Sequence, residues 1–316
     1  WSQSPPASQF PVPFSHYQSD VLHILSHFLQ LKSRRKNYCF YAVVFGCIMA
    51  VGLPLNAVSL WILLRHHSLQ SPSAVFMVNL AISDLLLVIS LPMRVYFYAT
   101  GTWPLSAMAC LLISMSFRNN IRCSSIFITF ICMDRLLAVV FPLRSRHLRT
   151  SSNTWKAAAL VWLCVVVVNI PESINFSECL QNLTESGRNA TCFEFPRNPS
   201  PNRSPIQYFQ PVLVFTMLTI NVVCTALVSW TLSKRLSDSA KVNNKVNVML
   251  IFVMNLVMFT VCFLPVSVGL LTADKTVLTP LVCLAAVNCC LDPLLYYFSL
   301  DAFWKKKEDV ELAREQ

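Results

Sequence analysis

Three arginines lie inside long apolar stretches of this sequence, where a permanent charge is costly. Arg118 and Arg122 are four residues apart in the stretch 110–142, and Arg94 follows Asp84 by ten residues in the preceding stretch. A charge at the depth of a bilayer costs at least ~2.5 kcal/mol on insertion scales, so such a side chain faces a cavity or a partner. Arginine pairs bidentately with phosphate or carboxylate and stays protonated. The three arginines therefore indicate a site for an anion.

The acidic residues leave two interpretations of these arginines open. Asp84 lies about 15 Å from Arg94 along a helix, at ~1.5 Å per residue, and the nearest other acids are Glu172, Glu178 and Glu194. Either the arginines bind an anionic ligand, or one or more of them bonds to these glutamates or to backbone carbonyls in a structural role. On the first interpretation the ligand contacts are Arg94, Arg118, Arg122, Tyr98 and Lys275, with Tyr96 as a further candidate.

The composition is that of a polytopic membrane protein. Of 316 residues, 55% are apolar and only 13% are charged, whereas a soluble protein carries about a quarter charged residues. Five glycines are present, which argues against nucleotide-binding loops. A transmembrane helix needs roughly 20 residues, and seven apolar spans come close to or exceed that length. They predict an all-α membrane protein, a seven-transmembrane helix bundle, with spans at 40–64, 73–98, 107–141, 155–172, 206–232, 245–272 and 277–300.

Glycosylation sequons and basic residues mark opposite sides of the membrane. The long connection after the fourth span contains four N-x-S/T sequons, which argue for a lumenal or extracellular loop. Basic residues cluster in the connections on the other side, as cytoplasmic loops do. We therefore predict a multi-pass plasma-membrane protein with an extracellular N-terminus, whose net charge of +10 needs no nucleic acid to explain it. The predicted glycosylation sites are Asn175, Asn182, Asn189 and Asn202.

The chain divides into three predicted parts. Residues 1–38 form an extracellular tail whose low complexity favours disorder. Residues 39–300 form the seven-span domain. Residues 301–316 predict a short amphipathic helix after the seventh span, with Phe303 and Trp304 in the membrane interface and lysines toward the lipid headgroups.

Polar residues and prolines at fixed places in the spans resemble those of rhodopsin-like G-protein-coupled receptors, over residues 39–311. Within that class, the stretches MDRLLAVVFPLRSRHLR (133–149) and NCCLDPLLYYFS (288–299) resemble lysophosphatidic acid receptors of the purinergic-like branch, the fifth subtype above all. The residues that carry the broader resemblance are Asn56, Asp84, Asp134-Arg135, Trp162, Cys262-Phe263-Leu264-Pro265 and Asn288-x-x-x-Asp292-Pro293-x-x-Tyr296.

The resemblance implies a disulfide, an ion pocket and a coupling switch. It pairs Cys110 with Cys192, both on the outer face. It suggests a bound sodium ion that favours the inactive state, and a water-filled polar network without an ion is the alternative; no other cofactor is expected. The residues expected to hold the ion are Asp84, Ser124, Asn288 and Asp292. The switch that couples ligand binding to a heterotrimeric G protein comprises Asp134, Arg135, Phe263, Pro265, Asp292, Pro293 and Tyr296.

A ligand-activated receptor coupled to G proteins is the function that the resemblance implies. The expected ligand is lysophosphatidic acid or a related anionic lipid; a nucleotide or a small carboxylic acid is the alternative within the class. An organic-anion transporter is the alternative class, but the inverted repeats and broken helices typical of transporters are not found in the sequence. An enzyme is not expected, because no nucleophile–base pair or metal-ligand spacing occurs. The expected partners are a G protein, the ligand and membrane lipids, and no nucleic acid.

Overall fold

Helices make up nearly all of the chain that the structure describes. The computed structural model describes residues 14–66, 71–147, 149–185, 192–193, 205–235, 242–272 and 275–294. The α-helices are α1 Phe14–His66, α2 Pro72–Thr100, α3 Ala107–Val140, α4 Ser151–Glu185, α5 Ile206–Arg235, α6 Val242–Met258, α7 Leu264–Thr272 and α8 Lys275–Ala286. A π-helical turn at Phe259–Phe263 joins α6 to α7, so these two helices form one span.

In the described part of the chain, seven helical stretches are long and apolar enough to cross a membrane, which confirms the predicted seven-transmembrane bundle. Helix α1 begins at Phe14, inside the segment 1–38. The division of the chain at residues 38 and 300 stays a prediction, and the amphipathic helix predicted at 301–316 lies outside the described residues. The seven stretches are Lys36–Arg65, Pro72–Thr100, Ala107–Val140, Ser151–Glu178, Tyr208–Lys234, Met249–Leu271 and Val277–Leu294.

Helices α2 and α3 form the centre of the bundle. In their most apolar stretches 72% and 50% of the residues are buried, against 22% in each of α1, α4 and α5. The outer helices stay apolar although they are exposed, because lipid replaces water around them. Polar residues on α2 and α3 therefore lie inside the bundle and need partners there.

Side-chain hydrogen bonds tie neighbouring spans together. Trp162 of α4 donates from its indole nitrogen to Oδ1 of Asn79 of α2, at 2.9 Å. Asn56 of α1 donates to the carbonyl oxygen of Cys289 in the seventh span, at 2.6 Å. Helix α1 approaches this span closely at Gly52, where a Cβ atom would lie 3.0 Å from the Cys289 sulfur. Such ties fix the spans relative to one another in a medium that supplies no competing water.

The sixth and seventh spans each contain a break in the regular helix. The π-helical turn ends two residues before Pro265, and the amide of Leu264 donates to the carbonyl oxygen of Phe259. The seventh span has a turn at Val287 and continues as helix over 288–294. π-Helical turns are frequent at functional sites, and this one contains Phe263, whereas the turn at Val287 adjoins Asn288.

Removing the hydrogen bond between Trp162 and Asn79 is predicted to lower the stability of the folded protein. Trp162→Phe keeps an aromatic ring but leaves Oδ1 of Asn79 without this donor, which costs roughly 1–3 kcal/mol. Trp155→Phe is the matched control, because Trp155 is on the same helix and 41% exposed. Thermal unfolding of the purified protein in detergent should show a lower melting temperature for Trp162→Phe than for Trp155→Phe. Equal melting temperatures would show that the bond contributes nothing.

Candidate ligand-binding and coupling sites

Arg94 is a buried cation with aromatic surroundings. It lies near the C-terminal end of α2 and is only 5% exposed. The central carbon of its guanidinium lies 4.3 Å from the ring centre of Phe193, 5.1 Å from that of Phe117 and 5.9 Å from that of Phe45. Among the described residues it has no salt-bridge partner, and its Nε has no hydrogen-bond acceptor. Aromatic faces attract a cation, but they cannot accept the in-plane N–H bonds as an anion does.

Phe193 covers Arg94 from the connection between α4 and α5. The preceding residue, Cys192, forms a disulfide with Cys110 of α3, which confirms the predicted pair. Phe193 has a left-handed backbone conformation with φ 70°, and its ring lies 5.3 Å from that of Phe97. Phe193 was not among the predicted site residues. Its place directly after the disulfide cysteine is the one signal in the sequence that could have identified it.

Arg122 has a partner inside the bundle. It is 1% exposed, and its Nη2 donates a hydrogen bond to Oε1 of Glu172 on α4. Its Nη1 donates to Oδ1 of Asn169 at 3.3 Å and to Oδ1 of Asn119 at 3.4 Å. The guanidinium of Arg122 is thus bound by the protein itself, in the structural role that the sequence left open.

Arg118 shares the same glutamate but is far more accessible. Its Nη1 lies 3.5 Å from Oε2 of Glu172, and its side chain is 42% exposed. It is also near enough to Arg94 for the two positive charges to repel each other. Arg118 therefore keeps donors available for a further anion.

The other predicted ligand contacts differ in their positions. Tyr98 is buried, and its ring packs 5.7 Å from that of Phe45, which also faces Arg94. Tyr96 is 42% exposed. Lys275 begins α8, but its side chain lies outside the described residues. The structure therefore brings Tyr98 and Arg94 into one aromatic cluster.

A groove of about 380 Å³ lies elsewhere, between α2, α3 and α4. Its walls combine apolar side chains with neutral polar ones, and none of the three arginines lines it. It nevertheless adjoins Arg122, because Asn119 and Asn169, which accept hydrogen bonds from that arginine, line the groove. Residues along the groove include Leu86, Leu112, Ser116, Asn119, Trp162 and Asn169.

A fully buried polar cluster connects α2 and α3 with the seventh span. Asp84 and Asp292 are both 0% exposed, and their carboxyl groups are close enough to interact with each other. Asn288 donates to Oδ2 of Asp292 at 3.4 Å. Unpaired oxygen atoms are the ligands that hard cations prefer, so the cluster fits a bound cation. Within this cluster, the buried oxygens without a partner among the described residues are Oδ1 of Asn56, Asn120, Asn288 and Asp292 and Oδ2 of Asp84.

Asn120 is the member of this cluster that was not predicted. Its amide nitrogen lies 2.8 Å from Oδ1 of Asp84 and 3.4 Å from Oγ of Ser124. Asn120 precedes Ser124 by four residues, so the two side chains share one face of α3. That spacing is present in the sequence and could have identified it.

In the predicted coupling switch, Asp134 forms an ion pair with a residue that is not adjacent to it in the sequence. Asp134, near the C-terminal end of α3, is 5% exposed. Its carboxylate accepts bonds from Nε and Nη2 of Arg149, at 2.6 and 3.2 Å, and from Oγ of Ser73 at 2.5 Å. The partner of Asp134 is thus Arg149 rather than the neighbouring Arg135. The Nε of Arg135 has no acceptor in the described part of the chain.

The remaining predicted switch residues lie in or beside the helix breaks. Phe263 ends the π-helical turn and is 0% exposed. Its ring packs edge-to-face against Phe259, with 5.3 Å between the ring centres. Pro265 follows in α7, and Pro293 is buried in the last described turn of the seventh span. Tyr296 lies outside the described residues.

Only one predicted glycosylation site can be placed with its side chain. Asn175 is exposed on α4, three residues after Glu172. The backbone of Asn182 lies in the same helix, but its side chain is not described; Asn189 and Asn202 lie outside the described residues. Glycosylation stays a prediction.

Comparison with known proteins confirms the resemblance found in the motifs. Residues 55–296 match the 7 transmembrane receptor (rhodopsin family) model. Lysophosphatidic acid receptor 6 of Gallus gallus is 34% identical over 283 residues, 84% of this chain and 91% of that protein. Lysophosphatidic acid receptor 4 of Homo sapiens is 33% identical over 287 residues, 85% of this chain and 76% of that protein. Lysophosphatidic acid receptor 5 of Bos taurus is 35% identical over 286 residues, 83% of this chain and 76% of that protein.

The three identities are nearly equal, so they favour no single subtype. The family consists of receptors rather than enzymes, and its members cross the membrane seven times, as this chain does. The matched region contains Arg94, the buried polar cluster and the residues of the predicted coupling switch. This chain belongs to the rhodopsin family of seven-transmembrane receptors.

Proposed function

We propose that this receptor is activated by an anionic lipid such as lysophosphatidic acid and signals through a heterotrimeric G protein. Arg94 carries the proposal, since it is a buried cation for which the described residues supply no acid. The N-terminus and the sequons would be extracellular, at the plasma membrane, and the Asp134 end of α3 cytoplasmic. The ligand would then reach the bundle from the side of the disulfide.

The surroundings of Arg94 favour a strong anion. Removing a guanidinium from water is costly, and aromatic rings replace only part of the lost hydration. A phosphate beside Arg94 would supply both the opposite charge and in-plane acceptors for its N–H groups. Phe193 lies nearest to the guanidinium, so it would have to move aside for the phosphate to make these bonds.

The formal charge of the cluster suits a phosphate monoester. Arg94, Arg118 and Arg122 contribute three positive charges and Glu172 one negative charge, which leaves +2. A phosphate monoester carries about −1.5 to −2 at pH 7, whereas a carboxylate carries one charge. Arg122 remains paired with Glu172 in this arrangement, so Arg94 and Arg118 are the two arginines that contact the ligand.

The lipid part of the proposal depends on the apolar neighbours and on the relatives. Phe45, Phe117 and Phe193 surround Arg94 with apolar surface, which suits an acyl chain next to a charged headgroup. Relatives that match most of this chain are named lysophosphatidic acid receptors. A lysophospholipid is therefore the ligand class that the charge, the apolar surface and the relatives all favour.

The buried cluster around Asp84 is proposed as a sodium site. The ion would neutralise the carboxylates, and Asn120 and Ser124 would orient Asp84 from α3. Because the cluster includes Asp292 in the seventh span, an ion there would stabilise one arrangement of α2, α3 and that span. A ligand that prefers the other arrangement shifts the equilibrium away from it.

Arg94→Ala is predicted to lower the potency of lysophosphatidic acid by about ten- to a hundredfold. A charge-assisted hydrogen bond is worth roughly 1.5–3 kcal/mol, and each 1.4 kcal/mol is about tenfold in affinity. Arg94→Lys should recover only part of the potency, because an ammonium cannot reproduce the planar fork. The measurement is the dose response of G-protein activation at matched surface expression.

Two controls separate this headgroup effect from a general defect. Arg65→Ala removes an exposed arginine at the C-terminal end of α1 and should leave the potency unchanged. An analogue of the ligand without phosphate should be almost equally weak at the unaltered receptor and at Arg94→Ala. Unchanged potency of lysophosphatidic acid at Arg94→Ala would contradict the proposed contact between Arg94 and the phosphate.

Sodium is predicted to lower the affinity of the agonist. Replacing potassium by sodium at constant ionic strength should weaken agonist binding about fivefold or more, since couplings of this kind amount to 1–3 kcal/mol, roughly 5- to 150-fold. Asp84→Asn should abolish the difference, because the ion loses its carboxylate. Asn120→Ala should reduce it, because Asp84 loses an orienting donor. An unaltered receptor that binds agonist equally in both salts contains no such site.

A further inference from the structure

We infer that Arg149 is a further residue of the coupling switch: by holding Asp134 it leaves the neighbouring Arg135 available to the G protein. This inference depends on the proposed coupling to a G protein. Arg149 belongs to the connection between α3 and α4 and is separated from Asp134 by fifteen residues. In the sequence it is one of several basic residues of that connection, and nothing there distinguishes it.

The geometry makes Arg149 the main partner of Asp134. The two residues share two hydrogen bonds, one to each carboxylate oxygen, at 2.6 and 3.2 Å. Ser73 at the start of α2 donates a third bond, to Oδ2. The carboxylate is therefore well satisfied without Arg135. A bidentate arginine–carboxylate pair is both stronger and more specific in direction than a single contact.

The connection folds back on α3 and so places Arg149 beside Asp134. The amide of Ser145 donates to the carbonyl oxygen of Phe141 at 3.0 Å. The amide of Arg149 in turn donates to the carbonyl oxygen of Ser145, also at 3.0 Å. The hydroxyl of Ser145 also bonds to the carbonyl oxygen of Leu137 in α3, at 3.2 Å. These successive turns hold Arg149 as a positioning residue, with its side chain across the end of α3.

Arg135 is left without a charged partner in the region that the structure covers. Asp134 is adjacent to it and is the nearest acid along the chain. If Arg149 loses its charge, Asp134 is buried with only Ser73 as a donor, and a buried carboxylate without a cation is strongly destabilised. Arg135 is the cation that can replace Arg149, and pairing with Asp134 would withdraw it from the G protein.

The test compares Arg149→Gln with the matched control Arg146→Gln in a nucleotide-exchange assay. Both are arginines of the same connection, but Arg146 is exposed. Exchange on purified G proteins is measured with membranes of matched receptor content, with and without lysophosphatidic acid. Arg149→Gln should lower the exchange rate about tenfold, equivalent to about 1.4 kcal/mol, while Arg146→Gln stays close to the unaltered receptor. Arg149→Lys should be intermediate, because it keeps the charge but not the fork.

A double variant separates this mechanism from a direct contact between Arg149 and the G protein. Asp134→Asn removes the carboxylate that would capture Arg135, so Asp134→Asn/Arg149→Gln should exchange as fast as Asp134→Asn alone. Radioligand binding on the same membranes checks that each variant is folded.

Three results would overturn the inference. They are an Arg149→Gln rate equal to that of the unaltered receptor, a higher rate, and a double variant as slow as Arg149→Gln. The last result would mean that Arg149 itself contacts the G protein. If the unaltered receptor stimulates no G protein of any class, the proposed coupling fails first, and the inference fails with it.

Discussion

A polar group inside this bundle cannot hydrogen-bond to bulk water, and the rest of the structure depends on this constraint. In an apolar medium each donor, acceptor and charge must find its partner within the protein. Trp162 and Asn79 meet this requirement between α4 and α2. Arg122 meets it through Glu172, and Asp134 through Arg149. The helices are thus joined to their neighbours through the few polar side chains in their otherwise apolar sequences.

The exceptions to this constraint are the places where function is expected. Arg94 has aromatic faces but no described acid, and the cluster of Asp84 and Asp292 contains several oxygens that lack donors in the described region. One site is a cation near the disulfide; the other consists of buried carboxyl and amide groups at the centre of the bundle. An anion at the first and a cation at the second would satisfy both, and each would change the stability of one arrangement of the spans. Local violations of good pairing that persist in a stable fold are typical of binding sites.

Hydropathy was sufficient to predict the seven spans, because lipid imposes length and apolarity on every helix that crosses it. It could not show which of the three arginines has a partner in the protein, because the partners come from distant segments. Glu172 lies fifty residues after Arg122, and Phe193, which covers Arg94, lies in the connection between α4 and α5. Arg149 was hidden for the same reason among the basic residues of its loop. Asn120 was visible through its spacing to Ser124. The sequence thus indicates which residues need partners, and only the packing of the helices shows which of them find one.

The most direct test of this account is an electron cryo-microscopy structure of the receptor with lysophosphatidic acid bound. We expect the phosphate within about 2.7–3.2 Å of the guanidinium nitrogens of Arg94, with the ring of Phe193 displaced and Arg122 still paired with Glu172. A phosphate bound elsewhere, with Phe193 still covering Arg94, would contradict the claim that this unpaired cation is the centre of ligand recognition.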